Sequence, residues 1–193
     1  MTTTLEPTTA PLTQATWEID SAHTDVGFSV KHLMISTVRG RFSDVRGTIR
    51  IDDEDLATAI IQVEIAAASI DTRQQQRDDH LRSADFFDVE RYPVITFKSA
   101  GVTQTGADRL RVDGALTIKG VTREVALDVE VLGQTKDPWG NERAAFSATT
   151  SINRQEFGLT WNQVLETGGV MVGDRIDIAI DIEAVRQVAA QVA

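Results

Sequence analysis

Three histidines, His23, His32 and His80, are the side chains of this chain best suited to acid–base or metal chemistry near neutral pH. Their spacing matches no standard set of metal ligands, so the sequence predicts no metal site. His32 follows Phe28 and Val30 at intervals of two, which in a strand puts the three side chains on one face. A histidine on such a face is usually hydrogen-bonded structure; contact with a ligand and acid–base catalysis are the alternatives.

His80 lies in the sequence RDDHLRS, beside Asp78 and Asp79. Neighbouring positions on a helix point in different directions, so these carboxylates are not expected to orient the imidazole. A solvent-exposed helix face is the simpler interpretation. If the protein is an enzyme acting on an apolar substrate, His32 or His80 is its candidate general acid or base.

Other catalytic signatures are missing from the sequence. There is no cysteine, which excludes disulfides, thiolate catalysis and cysteine-ligated metals. No G-x-S-x-G, P-loop, G-x-G-x-x-G or H-E-x-x-H motif occurs. We therefore expect a non-catalytic protein that holds no metal and no fixed cofactor.

Apolar side chains, most of them aromatic, form the more informative set. They have the residue types that line a cavity for an apolar ligand, and the same types also fill a packed core. The sequence leaves both open. The predicted cavity wall consists of Phe28, Val30, His32, Phe42, Ile49, Leu81, Phe86, Phe87, Phe97, Leu116, Leu127, Phe146 and Trp161.

The segment 109–132, RLRVDGALTIKGVTREVALDVEVL, shows which elements would position these side chains. Apolar residues recur at every second position on both sides of Lys119-Gly120, a pattern typical of an antiparallel hairpin with one apolar face. A two-residue loop there places Ile118 opposite Val121. The inward-facing sets predicted by the same alternation are Phe28/Val30/His32, Ile95/Phe97, Leu116/Ile118, Leu127/Val129 and Phe146/Ala148.

The same alternation recurs along the chain and gives about eight strands with no alternating helices. The predicted fold is all-β: an eight-stranded antiparallel, lipocalin-like barrel, which has room for filling side chains or one small ligand. One short helical excursion, at about 72–92, interrupts the pattern. Asp71 or Thr72 is its candidate cap, and its apolar residues Leu81, Phe86 and Phe87 are expected to cover one end of the barrel, as a fixed plug or as a gate.

The domain boundaries follow from the same pattern. Residues 1–15, rich in Thr and Pro, are expected to be a disordered lead-in, 16–187 the barrel domain and 188–193 a C-terminal tail. The lead-in has neither a basic nor an apolar section of the kind found in signal peptides, so we expect a cytoplasmic protein.

Composition narrows the list of partners. The formal net charge of −10 disfavours nucleic acid, and no apolar run approaches the roughly 20 residues that span a bilayer. An apolar small molecule is compatible with this composition, but the composition does not select it. A homodimer is left open.

Five segments resemble the YceI-like family of lipocalin-like, polyisoprenoid-binding barrels: WEIDSAHTDVGFSVKH (17–32), TVRGRF (37–42), RDDHLRSADFFDVERYPVITFKS (77–99), GALTIKGVT (114–122) and FSATTSINRQEFGL (146–159). The third is the most specific. The resemblance implies an elongated apolar cavity for a polyisoprenoid, or for an isoprenoid quinone, as bound ligand. The family positions present here are Trp17, His23, Phe28, His32, Gly40, Phe42, His80, Leu81, Phe86, Phe87, Tyr92, Pro93 and Phe97.

Three functions are therefore weighed. The first is non-catalytic binding or transport of a long apolar lipid inside the barrel, which needs no catalytic group. The second is an enzyme acting on an isoprenoid-like substrate. The third is a filled barrel that serves as an interaction module.

Overall fold

The structure, a computed structural model, describes residues 14–52, 55–165 and 168–187. The predicted C-terminal tail and nearly all of the predicted lead-in lie outside these residues. The first strand begins at Gln14, and the side chain of Ala15 is buried; the domain boundaries stay a prediction.

Most of the described chain is antiparallel β-structure, with one α-helix, α1 (Gln75–Arg82), and three short 3-10 turns, Ser21–His23, Ala67–Ser69 and Arg154–Phe157. The strands are β1 (Gln14–Ile19), β2 (Asp25–His32), β3 (Ser36–Phe42), β4 (Val45–Asp52), β5 (Asp55–Ala66), β6 (Ile70–Asp71), β7 (Val94–Gln104), β8 (Arg109–Ile118), β9 (Val121–Lys136), β10 (Glu142–Asn153) and β11 (Val172–Gln187).

These segments form eight long strands, because three of the long strands are interrupted. The 3-10 turn Ser21–His23 separates β1 from β2, residues 43–44 separate β3 from β4, and Ala67–Ser69 separates β5 from β6. Pairing continues after each break: β2 pairs with β11 and β3, β4 with β1 and β5, and β6 with β3.

The barrel closes at β11. One edge of this strand pairs with β10. Its other edge pairs with β2 over Val172–Asp181 and with β1 over Ala184–Gln187. The ring therefore has no open side, and the predicted eight-stranded antiparallel barrel is confirmed.

The β8–β9 turn has the predicted two-residue loop, with Ile118 opposite Val121. Lys119 and Gly120 have φ of 50° and 75°, the two positive angles that a type I′ turn requires. Glycine is also required for space, since a Cβ on Gly120 would lie 2.7 Å from Cε1 of Tyr92. The turn is thereby packed against the segment that follows α1.

The helical excursion is present but is capped differently from the prediction. Gln74, not Asp71 or Thr72, is the N-cap, and its side chain accepts from the backbone N–H of Arg77. Asp71 instead accepts from the N–H of Arg73, 2.7 Å away, and closes a local turn. The Thr72 N–H donates to the buried carboxylate of Asp78 at 2.9 Å. Local side-chain bonds of this kind compete with capping.

The direction of the strands defines two ends. The helix end carries the excursion, the β2–β3 turn, the β8–β9 turn and the long loop between β10 and β11; the opposite end carries the turns between β4 and β5, β7 and β8, and β9 and β10.

Candidate functional site

The barrel encloses an apolar cavity with a volume of about 240 Å³. Six of the seven phenylalanines and many aliphatic side chains from every long strand line it, because the strands alternate inward and outward residues. Among the described residues, the lining side chains are apolar with two exceptions, Thr150 and Arg154.

Arg154 is buried, but its donors are used within the protein. Its guanidinium donates to backbone carbonyls that include those of Trp161 and Gly173, both at 2.9 Å, and to the carboxylate of Asp174 at 3.2 Å. Burial lowers the pKa of Arg154, and the charge of Asp174 opposes that shift. The side chain ties the β10–β11 loop to the barrel and leaves the cavity without a free charge.

Most of the predicted wall residues do line the cavity. The structure brings together Phe28, Val30, Phe42, Ile49, Leu81, Phe86, Phe87, Phe97, Leu116, Leu127 and Phe146. The other predicted inward residues, Ile95, Ile118, Val129 and Ala148, line it too. Their inward orientation is confirmed; their contact with a ligand stays a prediction.

His32 is not among the residues that line the cavity, so its predicted contribution to the wall was wrong. The β2–β11 register shifts by two residues before it: Val30 pairs with Ile176, and His32 pairs with Val172. Because directly paired residues share a face and Val172 lines the cavity, the predicted face of His32 still holds, but as the last residue of β2 it lies beyond the cavity. His32 is half-buried at the end of β2.

Trp161 was also misplaced by the sequence prediction. It lies outside the cavity, behind Phe86, with ring centroids 5.3 Å apart. The His80 ring stands edge-on to Trp161 at 4.8 Å and to Phe86 at 5.1 Å. His80 Nε2 lies 3.0 Å from Oδ2 of Asp85, a partner that the sequence did not indicate. This cluster supports Phe86 from outside.

The excursion covers the helix end of the cavity through Leu81, Phe86 and Phe87, as predicted. Phe87 meets Phe42 edge-to-face with centroids 5.7 Å apart. The guanidinium of Arg82 donates to the carbonyls of residues 68 and 70, at 2.8 and 2.7 Å, and holds the helix against the barrel.

Between β9 and β10 the barrel wall is incompletely paired, and we call this stretch the seam. The β9–β10 pairing stops at Asp128–Thr149, and beyond it the Thr150 hydroxyl donates to the carbonyl of Ala126 at 2.7 Å. Outside this seam lies a cleft of about 1140 Å³ that is lined by charged and polar side chains together with apolar ones. The cavity and the cleft share the lining residues Phe28, Val125, Thr150, Ile152 and Ile178. Although the cleft is larger, it is more open to solvent and of mixed polarity, so the cavity suits an apolar ligand better.

The predicted list missed much of the aliphatic wall. The isoleucines of β11 line the cavity at every second position, Ile176, Ile178, Ile180 and Ile182. Their alternation in the sequence was a sufficient signal. Aliphatic side chains make up more of the wall than the aromatic side chains that dominate the predicted list.

A network of charges joins β1, β10 and β11 near the opposite end. Arg143 contacts the carboxylates of Asp20 and Asp137 at 2.9 Å each, and also that of Glu183. Arg143 donates hydrogen bonds to these three carboxylates, and these bonds, that to Asp137 foremost, raise the pKa of Arg143. The pKa of Asp20 is lowered, first by Arg143 and then by His23. Burial opposes ionisation of Asp137, but its bonds to Arg143 and to residue 141 prevail and lower its pKa.

Asp20, His23 and Glu183 also place potential metal-ligand atoms within 4.8 Å of one another. Because Arg143 already supplies a positive charge to both carboxylates, the arrangement is explained as an ion-pair network. In the part of the chain that the structure describes, no helix is long and apolar enough to cross a membrane.

Comparison with known proteins agrees with this architecture. The family model of the YceI-like domain matches residues 17–184. The chain belongs to the YceI-like family. A UPF0312 protein of Staphylococcus aureus (strain bovine RF122 / ET3-1) is 39% identical over 165 residues, which cover 85% of this chain and 94% of the relative.

Two solved structures show the same fold. BcnA of Burkholderia cenocepacia superposes with a TM-score of 0.75 at 25% identity and covers 86% of this YceI-like chain and 98% of its own. A polyisoprenoid binding domain from Saccharophagus degradans, implicated in plant cell wall breakdown, superposes with a TM-score of 0.63 at 16% identity, over 89% of this chain and 98% of that domain.

Proposed function

We propose that this YceI-like protein binds a long apolar lipid, of the polyisoprenoid or isoprenoid-quinone type, inside the barrel and carries it without chemical change. The observation that carries the proposal is the enclosed cavity with an apolar wall and no free charge. The related fold of a polyisoprenoid binding domain supports the choice of ligand class.

The driving force is burial of hydrocarbon. Each methylene that moves from water into the cavity contributes ~0.8 kcal/mol, reduced by the cost of ordering a flexible chain. A long tail therefore reaches useful affinity without any polar contact.

A barrel filled by its own side chains is less consistent with the cavity volume than a barrel that holds a ligand. Protein interiors are close-packed and contain few voids larger than a water molecule, whose share of liquid volume is ~30 Å³. The cavity volume of about 240 Å³ is far above that value. The free space favours a ligand over a solid core.

Catalysis on a bound lipid lacks a positioned group. Neither His32 nor His80 lines the cavity, and His80 faces Asp85 on the outer side of Phe86. A general acid or base must come within hydrogen-bond reach of the reacting atom. Binding alone accounts for the geometry better.

The test is extraction of natively purified protein with organic solvent, followed by mass spectrometry of the extract. We expect about one apolar lipid per chain. Two neighbouring variants make a matched pair: Ile180→Asn puts an amide into the cavity, whereas Ala179→Asn puts it on the outer face. Lipid should be lost from the folded inward variant and kept by the outward one. Wild-type protein that yields no stoichiometric lipid, and takes none up when offered polyprenol, would refute the proposal.

A further inference from the structure

The β2–β3 turn at the helix end displays apolar side chains to solvent. Met34 is 58% exposed and Ile35 84% exposed. Leu33 and Met34 have φ of 52° and 61°, angles that residues other than glycine seldom adopt. The tight turn thus holds apolar residues where polar ones are usual.

A second apolar tip lies beside the first. The N–H of Leu33 donates to the carbonyl of Met171 at 2.8 Å, which joins the turn to the β10–β11 loop. That loop carries Val164, which is 80% exposed. Met34, Ile35 and Val164 are half of the large exposed hydrophobic residues found in the described chain. Exposed apolar residues that gather in this way mark an interaction surface.

The charge of this hairpin is opposite to that of the whole protein. The hairpin Asp25–Phe42 contains three cationic side chains, Lys31, Arg39 and Arg41, and one carboxylate, Asp25, while the chain has a net charge of −10. Arg41 lies 3.9 Å from each of two carboxylates, but Lys31 and Arg39 form no ion pair with any described residue. Two cations beside an apolar tip match the negative headgroups and the apolar interior of an anionic bilayer.

The exposed tryptophan at the opposite end has different surroundings. Trp139 is 82% exposed, but it lies between Asp137 and Glu142 in the β9–β10 turn. Both carboxylates are paired, that of Asp137 with Arg143 and that of Glu142 with Arg186. Trp139 is thus a single exposed apolar side chain between two ion pairs, whereas the β2–β3 turn combines two exposed apolar side chains with Lys31.

We propose that the docking tip, formed by Lys31, Met34, Ile35, Arg39 and Val164, binds the surface of an anionic lipid bilayer. The tip sits at the end that Leu81, Phe86 and Phe87 cover, so a docked barrel turns its covered end to the membrane. Passage of a lipid from the bilayer into the cavity without crossing water is a consequence that rests on the proposed function; docking itself does not.

The test is co-sedimentation with vesicles of phosphatidylcholine alone and of phosphatidylcholine with phosphatidylglycerol. Wild-type protein should bind the anionic vesicles, and binding should weaken as salt is added. Met34→Ser combined with Ile35→Ser should weaken binding roughly tenfold or more. Lys31→Gln combined with Arg39→Gln should weaken it about 25-fold, near fivefold per cation.

Trp139→Ser is the matched control, because it removes an equally exposed aromatic side chain from the opposite end and should bind as wild type does. All substituted side chains are exposed, and circular dichroism checks that the variants fold. Any one of three results overturns the proposal. Wild type does not bind anionic vesicles, or the Met34/Ile35 variant binds them as well as wild type does, or Trp139→Ser loses as much binding as the Met34/Ile35 variant. Binding of polyprenol to each variant in vesicle-free solution is measured separately, so failure of docking and failure of lipid binding are distinguished.

Discussion

The ring of Phe28 lies across Gly40, its cross-strand partner, so closely that a Cβ on Gly40 would be 2.4 Å from Cζ of Phe28. A similar close contact occurs between β7 and β8, where Gly114 is diagonal to Phe97 and a Cβ on Gly114 would be 2.5 Å from Cζ of Phe97. Both rings line the cavity. By giving the rings room against the wall, the two glycines keep the centre of the barrel free.

Gly40→Ala should therefore push the Phe28 ring into the cavity. We expect a loss of ~1–3 kcal/mol in the free energy of unfolding, as for other overpacked sites, and a clear fall in affinity for a long-chain lipid. Denaturant unfolding and lipid titration measure the two effects. Gly101→Ala is the control, because a Cβ there meets no atom within 4 Å. An unchanged affinity in folded Gly40→Ala protein would show that the Phe28 ring does not border the ligand.

The cover of the helix end is either a gate or a fixed plug, and truncation of its rings separates the two. Phe86 is buried, so Phe86→Ala should cost ~3–5 kcal/mol of stability. A gate predicts that Phe86→Ala and Phe87→Ala also speed lipid release by more than the stability loss explains. Val102→Ala, a truncation elsewhere in the cavity wall, is the control. Release that stays at the wild-type rate in the folded variants supports a fixed plug.

The Arg143 network predicts how stability depends on pH. The pKa values of Asp20 and Asp137 are lower in the folded protein than in the unfolded chain, where an Asp has a pKa of ~3.9. The stabilisation is complete above the unfolded value and is lost as the pH falls through the folded values. Arg143→Met should lower stability at neutral pH and flatten its decline in acid. Unfolding curves between neutral pH and the acid range measure this; parallel declines in both proteins would contradict it.

How much of the structure the sequence predicts depends on whether the deciding contacts are local or distant along the chain. Alternation is local, so it predicted the barrel, the Lys119-Gly120 turn and the inward orientation of Phe97 and Leu116. His32 has the predicted face, but it is the last residue of β2, and alternation does not show where along a strand the cavity ends. Trp161 lies in a loop whose position is set by contacts with His80 and Phe86, far away in sequence.

The sequence did not predict Gln74 as the N-cap of α1 or Asp85 as the partner of His80, for a similar reason. Several polar side chains near residue 72 compete for the same backbone donors, and small energy differences choose among them. Cytoplasmic location stays a prediction, and a homodimer stays open.

The seam offers a place for the polar end of the ligand. Among the wall residues that the structure describes, Thr150 is the polar side chain whose oxygen still has acceptor capacity. Thr150→Val should weaken binding of a long-chain alcohol several-fold and leave binding of the alkane of equal length nearly unchanged, since one net hydrogen bond contributes ~0.5–1.5 kcal/mol. Isothermal titration with both ligands measures the difference. Equal losses for the two ligands would mean that the head group lies elsewhere.

Filling the cavity tests the central claim most directly. Ala148 is buried on the cavity wall, and Ala100 is exposed on β7. Titration of delipidated wild type, Ala148→Phe and Ala100→Phe with a polyprenol should give one site per chain in wild type and in Ala100→Phe. Folded Ala148→Phe, at a cost of ~1–3 kcal/mol, should bind at least tenfold more weakly. Equal affinity and stoichiometry in all three folded proteins would contradict binding inside the barrel.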